Sequence, residues 1–410
     1  MMDKLIKNPW PGLSSYEDPF VGGNRYIFCG RNSEVYDLVR LIDDSFFVTL
    51  YGKSGIGKSS ILKAGVFPCL RKDMYLPIML RLGLVNESAQ FQPILCRAIE
   101  MAIRENGGTI ETINVVQEEE NTLATEYLWN FFARHRFYDR IGNVVFPVIV
   151  LDQFEEVFRK RHLGKKAKLL LSQINYLIDE NHAIGDCKVN GKEYFYDFNF
   201  RFVVSIREDE LFRLEETLDN NFLPALKNCR YRLKSLTEQG ARDVVSIPGD
   251  GMFNNDEESS VVDSIINAAK NETADGYSTN VLSLICSRIY EEAVKLENWP
   301  ISLAKVKEFL EGNPFERFYY EATEGLPAKE KHYIEDNLID STGRRNAITE
   351  EDFIKNVPHG NDLLIEGPRK ILQRVSVSSD AERPRIELIH DSFCALRWLG
   401  SSNSGTTLRS

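Results

Sequence analysis

No stretch of this sequence is long and apolar enough to cross a bilayer. The longest apolar run, Val144–Leu151, falls far short of the roughly 20 residues a spanning helix needs. The opening residues, MMDKLIKNPWPG, hold neither the apolar stretch nor the small-residue cleavage site of a secretory signal. Cysteine is sparse. The seven cysteines, Cys29, Cys69, Cys96, Cys187, Cys229, Cys286 and Cys394, are odd in number and none has C-x-x-C or zinc-ligand spacing. A reducing, cytoplasmic setting fits that pattern best. Positive charge is short as well: 50 Lys and Arg against 61 Asp and Glu, a net −11, argue against nucleic acid bound over the whole surface. Only a local basic patch stays open. There is no internal repeat. What is present is a 43% hydrophobic share over 410 residues, enough for roughly two to four domains around substantial cores.

The first half alternates strand and helix patterns, as an α/β sheet domain does. Phe46–Tyr51, Leu76–Leu82, Val144–Leu151 and Phe200–Ile206 read as strands. Ser59–Leu70, Phe91–Arg104, Leu123–Phe137 and Lys166–Ile178 read as helices between them. Two polar stretches, Asn106–Asn121 and His182–Tyr196, read as surface insertions. From Thr237 onward helical spacing dominates, in Val261–Ala269, Val281–Val294 and Leu303–Leu310. A further unit begins near Asn313: helices at Phe315–Thr323, Ala328–Leu338 and Thr349–Lys355, then strands at Leu372–Val377 and Ile386–Ile389. Helices followed by a two-stranded wing suggest a winged helix. The end, GSSNSGTTLRS, reads as a flexible tail.

The chemistry starts at VTLYGKSGIGKSSILKAG. Gly52, Gly57, Lys58 and Ser59 fit G-x-x-x-x-G-K-[ST], between an apolar strand and a helix. Gly52, Lys53, Ser54, Gly55, Ile56, Gly57, Lys58, Ser59 and Ser60 form the candidate phosphate cradle. Its glycines let successive N–H groups face an anion at a helix N-terminus. Lys58 is placed between the β- and γ-phosphates and the Ser59 hydroxyl on Mg²⁺. A second apolar strand ends in an acid, in FPVIVLDQFEEVF. Asp152 suits the Mg²⁺ shell, and Glu155 or Glu156 the attacking water. The plainer alternative makes Asp152 a helix cap and the glutamates solvated first-turn acids. A third strand, FRFVVSIRED, ends in Arg207, either a sensor of the γ-phosphate or a surface ion pair with Glu208 or Asp209.

Together these motifs resemble the STAND class of P-loop ATPases, relatives of the AAA+ proteins, and most closely the first of its "novel STAND" subgroups. NPWPGLSSY (Asn8–Tyr16) with IFCGRN (Ile27–Asn32), VLDQFEEVF, VSIRED and YRLKSLTEQGARDVV (Tyr231–Val245) carry the resemblance. It implies that the N-terminal segment lies against adenine, with Gly30 and Arg31 near the nucleotide. Trp10 or Phe28 could pack on the base, or Trp10 could be a buried anchor. ELIHDSFCALRW (Glu387–Trp398) is similar to the M-H-D segment of STAND winged helices, which implies that His390 reaches the β-phosphate of ADP. The local alternative is that His390 ends a strand and Asp391 caps a helix. The proline that many relatives place on the adenine is missing between Gly276 and Ile289, which leaves Asn280 or Val281 for that duty, unless Pro248 substitutes or base selectivity is weaker.

The expected architecture is therefore α/β: a P-loop, AAA+/STAND-like parallel-sheet domain over 1–235, a helical domain over 236–312, a winged-helix domain over 313–400 and a tail over 401–410. The expected function is an ATP/ADP switch with bound Mg²⁺ and slow hydrolysis. It opens and self-associates on nucleotide exchange, in bacterial signalling or antiviral defence, with effector and sensor unidentified. A DNA-handling AAA+ ATPase is the rival, weakened by the acidic start of TEEDFIKNV (Thr349–Val357). A small-molecule kinase would need an acceptor pocket and a lid, and the C-terminal half offers neither pattern. A scaffold with a dead site fits least, because Lys58, Ser59, Asp152 and a glutamate are all present.

Overall fold

The computed structural model describes residues 8–20, 26–86, 88–112, 127–159, 161–178, 188–189, 192–193, 200–218, 222, 224–270, 276–297, 299–312, 314–340, 343–360, 364–365, 370–376, 384–389 and 393–394. The chain forms two compact units. One comprises Asn32–Lys53 and Ile61–Leu233; the other comprises Met1–Arg31, Ser54–Ser60 and Lys234–Ser410.

The first unit is built on a five-stranded sheet. Its strands are β1 (Phe47–Gly52), β2 (Tyr75–Leu80), β3 (Phe146–Leu151), β4 (Arg201–Arg207) and β5 (Arg230–Arg232), in the order β2-β3-β4-β1-β5. Every pairing is parallel. Strands buried on both faces need continuous apolar runs, and β3 and β4 supply them, with Val148, Ile149, Val150, Phe202, Val203 and Val204 fully buried. Helices α1 (Asn32–Asp44), α2 (Phe91–Glu105) and α3 (Arg161–Ile178) bury apolar stripes, among them Leu38 and Ile42, Leu95 and Ile99, and Leu170 and Ile174. Arg201 fastens the start of β4 to the end of α1, donating to the carbonyls of Ile42 and Asp43 at 2.8 Å each, groups a helix end otherwise leaves unsatisfied. The segment after the phosphate loop starts as α-helix at Lys58–Ser60, widens to π-type turns over Ile61–Val66 and returns to α at Phe67–Leu70. Pro68, which has no N–H to give, lies just past the widened turns.

One expected helix is corrected. Leu123–Phe137 is helical only over Tyr127–Arg134 among its described residues. His135–Tyr138 instead pairs antiparallel with Thr109–Thr112. Phe137 remains buried from its strand position, 6.0 Å from the Phe131 ring, so its apolar spacing is satisfied without a helix. The His182–Tyr196 stretch contains a short hairpin, Lys188–Val189 with Lys192–Glu193.

In the second unit, α4 (Glu238–Ser246), α5 (Glu258–Ala268) and α6 (Thr279–Lys295) share one core with Val245, Val261, Ile265, Leu282, Ile285 and Ile289. Thr237 caps α4 by accepting the Gly240 N–H at 3.1 Å. Ser278 caps α6. A second core, around Phe318, Ile334, Phe353, Ile371, Ile386 and Phe393, joins α7 (Pro314–Thr323), α8 (Ala328–Asn337) and α9 (Glu350–Asn356) to a small antiparallel sheet. Its strands are β6 (Ile348–Thr349), β7 (Leu372–Val375) and β8 (Arg385–Leu388), in the order β6-β8-β7. His390, Asp391, the helix expected after them and the tail over 401–410 lie outside the described residues. No described helix is long and apolar enough to cross a membrane.

Candidate functional site

In parallel strands all carboxyl ends emerge on one edge, the edge where open α/β sheets bind ligands. In the sheet unit the ends of β1, β4, β3 and β2 carry Gly52, Arg207, Asp152 and Arg81 in turn. Gly52, the first motif glycine, is in register with Arg207. The turn after β3 is tied to both neighbouring strands. Asp152 N–H donates to Leu80 O at 2.8 Å and Phe154 N–H to Ser205 O at 2.9 Å. Gln153 takes a left-handed φ of +50°, rare for a residue with a side chain.

The two glutamates after it part company. Glu155 is 4% exposed and accepts the Arg207 backbone N–H at 3.2 Å. Glu156 is engaged through both oxygens by Arg81, at 2.9 and 2.5 Å. Their side chains are 15% and 11% exposed. The Arg207 guanidinium pairs with Asp209 through two contacts, 3.0 and 3.1 Å, while Glu208 pairs with Arg232.

The other unit holds the loop Ser54–Ser60. Gly55 and Gly57 adopt φ of +71° and +95°, a region that favours glycine. Two residues far away in sequence hold the loop carbonyls. Arg31, 2% exposed, donates to Ile56 O at 3.0 Å and to Lys234 O at 2.9 Å. Thr279, the first residue of α6, donates to Gly55 O at 2.9 Å. Ser60 Oγ accepts the Tyr16 N–H at 3.3 Å.

Beside the loop lies a cleft enclosing about 520 Å³, counting space open to solvent. The N-terminal arm contributes Gly12, Ser14, Tyr16, Phe28, Cys29 and Arg31; the loop, Gly57 and Ser60; α4 and its approach, Leu236 and Val244; α6, Thr279, Asn280 and Ser283. Apolar and aromatic walls with a few polar groups are what a nucleoside needs. Burial raises the Tyr16 phenol far above its ordinary range and pushes the Cys29 thiol up to about 11. Both therefore stay neutral near pH 7, and these two groups add no negative charge beside a phosphate. Ser283 Oγ is enclosed and has no hydrogen-bond partner among the described residues, a cost that a bound polar group would remove.

Trp10 is not in the cleft wall. It is 2% exposed and donates from Nε1 to Val244 O at 2.9 Å, so it anchors the arm, and Tyr16 and Phe28 are the rings facing the cleft. Gly30 (φ +78°) packs backbone to backbone on Gly240, where a Cβ would lie 2.4 Å from Gly240 O. Of the two stand-ins for the absent proline, Asn280 lines the cleft and Val281 packs on the helical core. Sequence reasoning missed Tyr16, Arg81 and Thr279. Arg81 had a signal, being a charged residue at a strand end like Asp152 and Arg207; Tyr16 and Thr279 had none.

No described cluster of three or more His, Cys, Asp or Glu side chains could hold a metal alone. A single carboxylate and a hydroxyl are hard oxygen donors. They fit Mg²⁺, which keeps waters and substrate phosphates in its shell rather than a full protein cage.

No curated protein matches the chain significantly. Similar solved structures include the Aeropyrum pernix ORC1 protein in complex with DNA, at a TM-score of 0.45 and 13% identity, covering 92% of this chain and 93% of that one. The ADP form of the Aeropyrum pernix ORC2 protein matches at 0.45 and 12%, covering 95% and 100%. Cdc6p from Pyrobaculum aerophilum matches at 0.40 and 14%, covering 90% and 93%. The family model described as Novel STAND NTPase 1 matches residues 9–292, more than half of the chain. With a phosphate loop, a strand that ends in an acid and a family match that spans both, the chain belongs to the Novel STAND NTPase 1 family, a family of nucleoside triphosphatases.

Proposed function

We propose that the chain is an ATP/ADP-operated switch of the STAND class, with slow hydrolysis that resets it and self-association in the ATP state. Bacterial signalling or antiviral defence is the setting this class suggests. One observation carries the reading. The cleft beside the phosphate loop is walled by the N-terminal arm and by α4 and α6, so a nucleotide there touches the elements a switch must move. A ligand shifts such an equilibrium only by its difference in affinity for the two states.

In this reading Gly52 to Ser60 cradle the phosphates, Lys58 neutralises them, and Ser59 and Asp152 hold Mg²⁺. The metal would offset charge on the β- and γ-phosphate oxygens. Glu155 orients and deprotonates the attacking water, because the Glu156 carboxylate is committed to Arg81. Arg207 senses the γ-phosphate after leaving Asp209. His390 contacts the β-phosphate of ADP and holds the closed state. The domain plan is that of the sequence: sheet domain over 1–235, helical domain over 236–312 and winged helix over 313–400. Three helices with a three-stranded antiparallel sheet support the last. A DNA-reading role gains nothing from α9, whose first turn carries Glu350, Glu351 and Asp352 and would meet phosphates with acid.

The test is to denature the purified protein and identify what it releases. ADP is expected, and an empty protein with no affinity for added ADP or ATP would overturn the reading. His390→Ala should speed ADP release and increase oligomer size; an unchanged off-rate and size would remove His390 from the switch.

A further inference from the structure

The structure assigns Arg31 and Thr279 a role the family resemblance does not describe. We infer that they position the phosphate-binding N–H groups of the loop by holding the carbonyls on the other side of the same peptide planes. A trans peptide is planar, and its C=O and N–H point in opposite directions. Thr279 Oγ1 donates to Gly55 O at 2.9 Å, so the Ile56 N–H of that plane is directed away from Thr279. Arg31 donates to Ile56 O at 3.0 Å, so the Gly57 N–H is directed away from the guanidinium. The left-handed φ values of Gly55 and Gly57, +71° and +95°, permit the backbone reversals that make a nest of successive donors.

Arg31 acts through the peptide. It is 2% exposed, and its second terminal nitrogen is held by Lys234 O at 2.9 Å. A cation on a carbonyl also polarises the peptide and strengthens the N–H at its other end. Donors fixed before a ligand arrives need no ordering when it binds, so affinity rises by preorganisation. Both residues are positioning residues, and the property they set is affinity for the phosphate chain rather than for the nucleoside. The inference rests on the nucleotide reading of the cleft.

Thr279→Val removes the hydroxyl at nearly constant shape, and Thr279→Ser keeps it. With the full chain, we expect Thr279→Val to weaken ADP and ATP about tenfold, the worth of one net hydrogen bond, mainly through a faster off-rate. Thr279→Ser should restore at least half of the lost affinity. Arg31→Lys, which keeps the charge but replaces the two terminal nitrogens of the rigid fork by one, should weaken ADP at least as much as Thr279→Val. Adenosine, which carries no phosphate, should lose less than twofold in each variant. Equal ADP affinity in Thr279→Val and parent would overturn the inference, as would an adenosine loss as large as the ADP loss, since that marks a collapsed cleft. A parent chain that binds adenosine but gains nothing from phosphates would overturn it by another route. A parent that binds neither would bring down the nucleotide reading itself, and the inference with it.

Discussion

Replacing Gly30 by alanine tests whether this glycine serves packing rather than nucleotide contact. The added Cβ would lie 2.4 Å from Gly240 O, 3.0 Å from Val244 Cγ2 and 3.1 Å from Gly240 C. Two of these neighbours are backbone atoms of α4, which cannot rotate aside. Overpacking of this kind costs about 1–3 kcal/mol. The residue must also hold φ at +78°, which costs a side-chain-bearing residue about 1–2 kcal/mol. Together the change destabilises the arm–α4 contact by about 2–5 kcal/mol. The reciprocal change, Gly240→Ala, places a Cβ 2.6 Å from Gly30 O but gains up to about 1 kcal/mol of helix propensity, so it should be the milder of the two. A chain of two compact units need not unfold in one step, so a global midpoint is the wrong readout. Amide hydrogen exchange in α4 and around Trp10 measures the local opening, and Gly30→Ala should raise it by roughly 30-fold or more. Unchanged protection in α4, or a larger effect from Gly240→Ala, would refute the backbone-contact argument.

Three other outcomes follow from the geometry. Arg81→Ala strands the Glu156 carboxylate in a pair whose side chains are 11% and 15% exposed, so calorimetry should show the sheet unit about 3 kcal/mol less stable; Arg81→Met with Glu156→Leu should recover much of the loss. Glu155→Gln should cut the rate of ATP hydrolysis at least about 100-fold with nucleotide binding retained, whereas Glu156→Gln should cost less than about fivefold, both read by phosphate release. Cys29, its thiol raised to about 11 by burial with the Asp243 charge adding to it, should resist iodoacetamide at neutral pH. Its alkylation, followed by peptide mapping, should climb as the pH rises from the ordinary thiol range toward 11, because only the thiolate reacts. Fast labelling of Cys29 at pH 7 would contradict this.

How much of this was legible in the sequence depends on whether the cause was local. The central strands were readable because a strand buried on both faces leaves a run such as FPVIVL or RFVVSIR. The edge strand β5 was not. Its three residues, Arg230–Arg232, are polar and exposed enough to look like loop, and only pairing with Thr49, Leu50 and Tyr51 makes them a strand. His135–Phe137 failed for the related reason that spacing reports a buried face but not the partner strand, which here lies at Thr109–Thr112. At the site, the loop announced itself because a nest of N–H donors needs glycine at set positions. What holds the loop did not, because a carbonyl acceptor leaves no mark on residue type. Arg31 and Thr279 reach Ile56 and Gly55 across 25 and 224 positions of chain.

The two glutamates make the same point in its sharpest form. Glu155 and Glu156 are the same side chain one position apart, and motif logic allowed either to serve the water. Their contacts differ: Glu156 meets an arginine 75 residues earlier, and Glu155 accepts a backbone N–H of β4. A carboxylate held at both oxygens by a guanidinium must give up a charge-assisted contact before it can serve a water. In the reading proposed above, Glu155 is the base because a distant cation engages Glu156, and not because of its place in the motif. Moving that cation should move the function: freed of Arg81, Glu156 becomes a competent base, and Arg81→Met should give Glu155→Gln back part of its lost hydrolysis.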